Sequence, residues 1–346
     1  MQDLADADLA LIHALQIAPR APWALLGAVL GADPVTVARR WQRLSAAGEA
    51  WITGYGSAAL MRRTSLALVA VSCLPGRLPE ITAQILDDPH AVTVEHTTGS
   101  CDLLLTVWTT GLADLSDYLV GRLSRLPGIT ATRTTMVTDV YAEGSSWRVG
   151  VLDAAARDRL RRAALTRASG LGELRTVDRP LALALGRDGR VPYSELAVAA
   201  GITAATARRR VARMLDDGVL TIRCELARYA SHRPVSATLW ANVPPGELAA
   251  TAAAIASRPE VRLCAAVAGT QNLIVTVWLS ALADLQRLEI SLSARFPGLS
   301  IAERAIVLRH HKLMGRVLDE AGRAVRAVDM DIWHPPTGRP PTVARP

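Results

Sequence analysis

Two clusters of arginine and threonine hold the most readable chemistry of this sequence. Thr36, Arg39, Arg40 and Arg43 span about two helical turns, and Thr206, Arg208, Arg209, Arg210 and Arg213 do so again further along. A guanidinium is planar, always charged and donates paired hydrogen bonds, which suits phosphate oxygens or the edge of guanine. Threonine hydroxyls suit a base or a phosphate. Arg39 and Arg43 stand four apart and share a helix face. Upstream of each cluster lies a glycine break and an N-cap: Gly31-Ala32 then Asp33-Pro34, and Gly201 then Thr203. Two short helices around a glycine-containing turn are a helix-turn-helix pattern, whose second helix enters the DNA major groove. The helices at 33–47 and 203–217 are therefore expected to touch double-stranded DNA. The plainer alternative is a solvated cationic face. Trp41, on the same helix, is expected to pack against the first helix.

These clusters are paired because the chain repeats itself. Gly99, Leu103, Thr106, Val107, Trp108, Leu112, Ala113, Asp114 and Leu115 recur 170 residues later as Gly269, Leu273, Thr276, Val277, Trp278, Leu282, Ala283, Asp284 and Leu285. The offset aligns Arg39, Arg43, Gly48 and Ile52 with Arg209, Arg213, Gly218 and Ile222 without a gap. A period this long is a duplicated domain pair, and a duplication can build in one chain what others build as a homodimer.

In each copy three short helices lead to an extended stretch expected as a wing, from Glu49 in the first and Val219 in the second. A mixed pattern follows. Ser65–Cys73 reads as strand, Leu78–Asp87 as helix, Ala91–Thr98 and Leu103–Thr109 as strands around Gly99. Leu112, Leu115, Leu119, Leu123 and Leu126 fall on one helical face, and Ile129–Thr138 closes as strand. The order βαββαβ is the split ferredoxin-like pattern. The expected class is α+β: two copies of a winged helix-turn-helix domain, each followed by a ferredoxin-like domain. The expected boundaries are 1–56, 62–142, a linker at 143–176, 177–226, 232–313, and a C-terminal extension at 314–346. Within the linker, Asp153–Arg167 is Ala/Arg-rich and reads as a helical spacer in solvent, or alternatively as a second phosphate-facing patch. The tail from about Asp329 ends in HPPTGRPPTVARP and is expected to be disordered or polyproline-like.

Composition agrees with this reading. The 346 residues carry a net charge of +7, and Lys312 is the only lysine. A basic balance favours anionic partners. Four cysteines without CxxC spacing argue against a disulfide framework or zinc site. No stretch reaches the roughly 20 apolar residues needed to span a bilayer, and the acidic start is unlike a signal peptide. A cytoplasmic protein without membrane contact is expected. No nucleophile–base grouping, HExxH, Walker loop or GxGxxG occurs, so no catalytic residue, metal or cofactor is expected.

The stretches TTGSCDLLLTVWTTGLADLSDYLVGRLSRLPGITATRTTMV and VAGTQNLIVTVWLSALADLQRLEISLSARFPGLSIAERAIVL, with the two helix-turn-helix blocks, resemble the Lrp/AsnC family of transcription regulators. The resemblance covers roughly nine tenths of the chain, in tandem form. It implies a DNA-binding regulator answering to a small effector, often an amino acid. It implies effector domains paired face to face, here an intramolecular pseudo-dimer, and further homo-oligomers. It places the effector at the loops Thr98, Gly99, Ser100 and Asp102 in copy one and Gly269, Thr270 and Asn272 in copy two. Asp102 would accept from an ammonium; Asn272 departs from the usual acid. The plainer alternative is that glycine makes the turn and Asp or Asn caps it. Two rivals share the architecture. One is a siroheme decarboxylase-like enzyme, for which His96 is the nearest histidine and Ala266 its counterpart. The other is a ligand sensor without DNA binding.

Overall fold

The computed structural model describes residues 4–164 and 174–336. Copy one opens with α1 (Asp6–Ile17), α2 (Trp23–Leu30) and α3 (Pro34–Ala46), then β1 (Ala50–Gly56) and the single turn α4 (Ala58–Met61). Its second domain is β2 (Ser65–Cys73), α5 (Leu78–Leu86), β3 (Ala91–Thr97), β4 (Leu103–Thr109), α6 (Leu112–Ser116) and β5 (Ile129–Ala142). The joining helix α7 (Ala154–Ala163) leads to copy two. There α8 (Arg179–Arg187), α9 (Tyr193–Ala200), α10 (Ala204–Asp216) and β6 (Leu220–Leu226) precede β7 (Val235–Asn242), α11 (Leu248–Ala256), β8 (Val261–Ala268), β9 (Leu273–Leu279), α12 (Ala283–Arg295) and β10 (Ser300–Leu313). A hairpin, β11 (Arg316–Leu318) and β12 (Ala324–Ala327), is the last regular structure among the described residues.

The helix-turn-helix signals act where the sequence puts them. Gly31 and Gly201 adopt φ of +64° and +63°, the left-handed turn open to glycine. The Asp33 carboxylate accepts from the N–H groups of Val35 and Thr36, and the Thr203 hydroxyl from that of Thr206. Val37, Trp41 and Leu44 turn inward in α3, as Ala207, Val211 and Met214 do in α10. Trp41 is thus a packing residue, as expected.

Each expected wing is one strand, and its partner is the other copy's. Strands β1 and β6 run antiparallel with Thr53 opposite Arg223. Those two residues differ by the repeat offset, so the pseudo-two-fold relating the copies passes between them. The ferredoxin-like sheets join in the same way. Strand order runs β10-β3-β4-β2-β5-β8-β9-β7, and β7 pairs back to β10. Within each copy this is the expected βαββαβ topology. Between copies the 14-residue strands β5 and β10 reach across to β8 and β3. The eight strands close on themselves and leave no edge unpaired. Leu68, Leu104, Trp240, Ala265, Val267, Ile274 and Ala305 form the core shared by the two sheets.

Three expectations change. The helix after β4 is not regular: a π segment runs Asp117–Arg122. The inner face runs Leu115, Tyr118, Leu123 and Leu126, with the widened turn between Tyr118 and Leu123, while Leu112 is 69% exposed, as is its counterpart Leu282 (60%) beside the regular α12. The joining helix is not a spacer in solvent, because α7 buries Leu160 in the core of the first head; residues 165–167 of the expected helix lie outside the described residues. The chain from Asp329 is also held. Ile332 is buried, Asp329 pairs with Arg187, and Asp331 pairs with Arg179. The remainder of the tail, from Thr337, lies outside the described residues.

The join between α7 and head one carries a pH dependence. His13 of α1 is buried and its Nδ1 accepts from the Leu152 N–H at 2.9 Å. Burial, with Arg148, Arg157 and Arg161 nearby, lowers its pKa to about 4; His311 falls to about 4 mainly through burial. The unfolded chain protonates both near the ordinary value of 6.5. Their contribution is therefore complete above pH 6.5 and lost as pH falls from 6.5 towards 4. Melting temperature is expected to drop across that window, and His13→Gln to remove part of the drop. Thermal melts of both proteins across it test this.

Candidate DNA-reading heads and effector sites

The nine expected DNA-contact residues divide into two sets. Arg40 and Arg43 ion-pair with the buried Asp8, at 3.3 and 2.7 Å. Arg210 and Arg213 do so with the buried Asp178, the counterpart of Asp8 at the repeat offset. Arg40 and Arg210 also donate to the carbonyls of Ala7 and Val177. These four arginines fasten each reading helix to the start of its head. Thr206 bonds to the capping Thr203. Thr36, Arg39, Arg208 and Arg209 are exposed, and among the described residues the three arginines make no ion pair or hydrogen bond. They are the groups left to face a phosphate or a base.

The heads are bolted together by a reciprocal clasp. Arg20 donates to the carbonyls of Gly189 and Val191 at 2.6 and 3.0 Å and lies 4.7 Å over the Tyr193 ring. Arg190 donates to those of Pro19 and Ala21 at 2.7 and 3.0 Å and lies 3.9 Å over the Trp23 ring. Every partner on one side is its equivalent's partner on the other. Each guanidinium thus spends its donors on carbonyls and its face on an aromatic ring, a cation–π contact. With the β1–β6 pair, this sets the spacing of α3 and α10.

The expected effector loops are packed against the opposite copy. Thr98 exchanges hydrogen bonds with Ile306, both at 2.9 Å, and Ser100 donates to Glu303 and accepts from Arg133. Gly99 has φ +98°, a position strained for any other residue. Gly269 has no such φ; a side chain there would meet Thr135 at 3.2 Å. Thr270 is exposed beside it. Asp102 accepts from the Cys73 N–H at 2.7 Å, and Asn272 makes two hydrogen bonds with the Val243 backbone, at 3.0 and 2.7 Å. Asp102 and Asn272 thus occupy equivalent places and tie each loop to its neighbouring strand. The Asp-to-Asn difference keeps that tie, since both side chains offer an acceptor.

A charged cluster at the pseudo-two-fold was not legible as a motif. Glu225, fully buried, pairs with Arg223 at 2.6 Å and with Arg262 at 2.8 Å. Arg223 also reaches Glu143, which accepts from the Tyr55 hydroxyl. Arg262 lies against both Trp147 and Trp278, 4.9 and 4.1 Å from their centroids, and the two rings meet edge to face at 5.1 Å. Across the sheets, His310 Nε2 stands 2.9 Å from a Glu95 carboxylate oxygen. Burial lowers the His310 pKa, so the imidazole is neutral and donates. Both groups line a cavity of about 120 Å³ between the two sheets. The signal lay in the repeat itself: Arg223, Arg262 and Glu95 align with Thr53, Val92 and Ala265. Charged residues facing uncharged ones at the repeat offset mark where the copies have diverged.

Among the described residues no helix is long and apolar enough to cross a membrane. Comparison with known proteins matches the AsnC-type helix-turn-helix domain at residues 4–45 and 176–215, and the Lrp/AsnC ligand binding domain at 66–147 and 236–317. An uncharacterized HTH-type transcriptional regulator of Pyrococcus horikoshii is 26% identical over 136 residues, 39% of this chain and 86% of its own length. The HTH-type transcriptional regulator FL11 of Pyrococcus furiosus is 24% identical over 141 residues, 40% of this chain and 93% of its own. Both relatives are about the length of one copy. Over nearly the whole chain the fold is similar to the siroheme decarboxylase NirDL, solved with an iron-uroporphyrin III analogue. That match has a TM-score of 0.57 and 14% identity, covering 94% of this chain and 95% of that one. A likeness at that identity is one of fold. Two reading heads and two ligand-binding domains, each matched twice at the repeat spacing, settle the assignment: the chain belongs to the Lrp/AsnC family, as a tandem duplication of its two-domain unit.

Proposed function

We propose that the chain is a sequence-specific DNA-binding transcriptional regulator whose two heads read two half-sites as one covalent pseudo-dimer. The clasp of Arg20 and Arg190 carries this reading. It holds two reading helices about a pseudo-two-fold while Arg39, Arg208 and Arg209 stay unpaired on their outer faces. Thr36 completes the first surface. Val211 replaces Trp41, and Arg208 replaces Ala38, so the half-sites need not be alike. A small effector, an amino acid or related metabolite, would act by binding two head arrangements with different affinity.

The shared fold with NirDL raises an enzyme reading. The cavity between the sheets compares with one that holds benzene, far below the size of a tetrapyrrole. A second pocket, of about 760 Å³ and lined by His13, Arg148, Arg157 and Arg161 among others, is large enough that cavity size does not decide between the readings; the two arginine-bearing helix-turn-helix heads favour the regulator. A footprint on DNA upstream of the chain's own gene, at low and high salt, tests it. Protection over two half-sites about one helical turn or a multiple apart, weakening with salt, is the expected result. No protection at low salt would overturn the regulator, and an absorbance scan for bound tetrapyrrole would then test the enzyme.

A further inference from the structure

The second pocket lies where three parts of the chain meet. Helix α1 of head one gives His13, the joining segment gives Arg148, Arg157 and Arg161, and the turn between α11 and β8 of copy two gives Arg258. Its volume, about 760 Å³, is that of a small-molecule site. Among the described residues no carboxylate lines it. Its four arginines are not equally answered. Arg161 pairs with Asp158 at 3.3 Å and Arg258 with Glu260 at 2.6 Å. Arg148 and Arg157 make no ion pair among the described residues. They donate to backbone carbonyls, Arg148 to those of Ser145 and Trp147 and Arg157 to that of Asp153. Glu143, whose charge Arg148 feels, is already taken by Tyr55 and Arg223.

The unanswered charge is concentrated. After burial, the charges of Arg148, Arg157 and Arg161 are what lower the His13 pKa, so the three guanidiniums stand about one imidazole. His13 is 2% exposed, and its Nδ1 accepts from Leu152, so its proton sits on Nε2. That N–H has no hydrogen-bond partner among the described residues, and a buried donor left unmade costs free energy until an acceptor arrives. The pocket also belongs to one side of the pseudo-two-fold. At the repeat offset His13, Arg148 and Arg258 align with Leu183, Leu318 and Asp88.

Two unanswered arginines call for a dianion. A monocarboxylate would leave one of them without a counter-charge. A dicarboxylate spreads its charges along a chain, whereas these donors converge. A phosphate monoester carries about −1.5 to −2 in one group at pH 7, with three acceptor oxygens for two guanidiniums and the His13 N–H. Bare phosphate would leave most of the space unfilled, since a cavity of about 150 Å³ already holds benzene. Ile17, Pro259 and Val261 offer the remainder an apolar wall.

We propose that this pocket binds a phosphate monoester of an apolar or aromatic organic group, with the phosphate on Arg148, Arg157 and His13. Binding itself does not depend on the regulator reading, but its consequence rests on it. A ligand held there would join head one to the ligand-binding domain of copy two, and so couple its own concentration to one reading head.

Isothermal calorimetry on the full chain without DNA tests the site, with phenyl phosphate, adenosine 5′-monophosphate, inorganic phosphate and succinate as probes. At least one ester is expected to bind one per chain, tenfold or more tighter than inorganic phosphate or succinate. Arg148→Met and Arg157→Met are each expected to weaken it by about ten- to hundredfold, the loss of a charge-assisted hydrogen bond. Arg162→Ala, exposed on the same helix and outside the pocket, should change nothing. Cooperative melting certifies the fold of each variant. Absence of ester binding, or binding that Arg162→Ala weakens as much as the pocket variants do, would overturn the proposal. Inorganic phosphate binding as tightly as the esters would mean an adventitious ion only, and would overturn it too. Unbound esters with weaker DNA binding in Arg157→Met would make the pocket a contact for the DNA backbone instead. Tetrapyrrole absorbance that Arg148→Met removes would hand it to the enzyme reading. A footprint with no ester binding sinks the pocket and spares the regulator. Ester binding with no footprint does the reverse.

Discussion

Removing Arg39, Arg208 and Arg209 together, as alanines, is expected to lower DNA affinity by about two orders of magnitude or more, at roughly 1 kcal/mol or more for each arginine. The slope of log affinity against log salt should flatten by about 0.9 for each phosphate no longer neutralised. These arginines are exposed and make no ion pair or hydrogen bond among the described residues, so stability should change little. The contrast is Arg43→Ala with Arg213→Ala. That pair strips the buried Asp8 and Asp178 of their closest cations, and should lower the melting temperature as well as binding. Fluorescence anisotropy at several salt concentrations, beside thermal melts, separates the sets. Unchanged affinity and slope in the triple variant would rule out these heads as DNA readers.

The largest stability effect is expected at Glu225. Glu225→Gln leaves Arg223 and Arg262 buried with one carboxylate, Glu143, between them. Breaking a buried ion pair by removing one partner costs about 3–5 kcal/mol, which in domains of this size is a fall in melting temperature of roughly 10 °C. Replacing Arg262 by Met in the same protein should recover part of the loss, because the surplus cation goes with it. Circular dichroism melts of the single and double variants measure both. A single variant as stable as the parent would show that this cluster contributes little to the fold.

The clasp and the cluster belong to different levels of design. Arg20 and Arg190 obey the duplication: each finds the equivalent carbonyls and an aromatic ring at the equivalent position. Arg223, Glu225 and Arg262 break it, with Thr53, Tyr55 and Val92 at the matching places. A homodimer must carry the same residues on both sides of its axis. A fused pair can place opposite charges across it, and here it does. The chain thereby gains an asymmetric interior that two identical subunits could not supply.

Much of this was legible in the sequence because the responsible interactions are local. Asp33 and Thr203 cap helices through their own next turn, and Gly31 and Gly201 turn the chain by their own φ. Continuous apolar runs marked β2 and β4, which are buried on both faces, and helical periodicity marked α12, which buries one. The period shifts only where regularity does: across the π segment the inner face passes from Tyr118 to Leu123, while Leu115, Leu123 and Leu126 stay buried as the spacing predicts. The extension is anchored only at its start, Asp329–Ile332, and its proline-rich end lies outside the described residues. That start is held by Arg179 and Arg187, about 150 residues earlier in the chain.

By itself the sequence determined the two-fold repeat, the order of elements in each copy and the helices that carry the two arginine clusters, since caps, turns and periodicity act within a few residues. The tertiary structure alone decided which arginines remain unpaired, that β1 takes β6 as its partner, and that Glu95, Arg223 and Arg262 meet around one cavity. Those outcomes depend on closing two sheets across an axis between the copies. Such pairing joins residues far apart in the chain, where no local pattern records the partner.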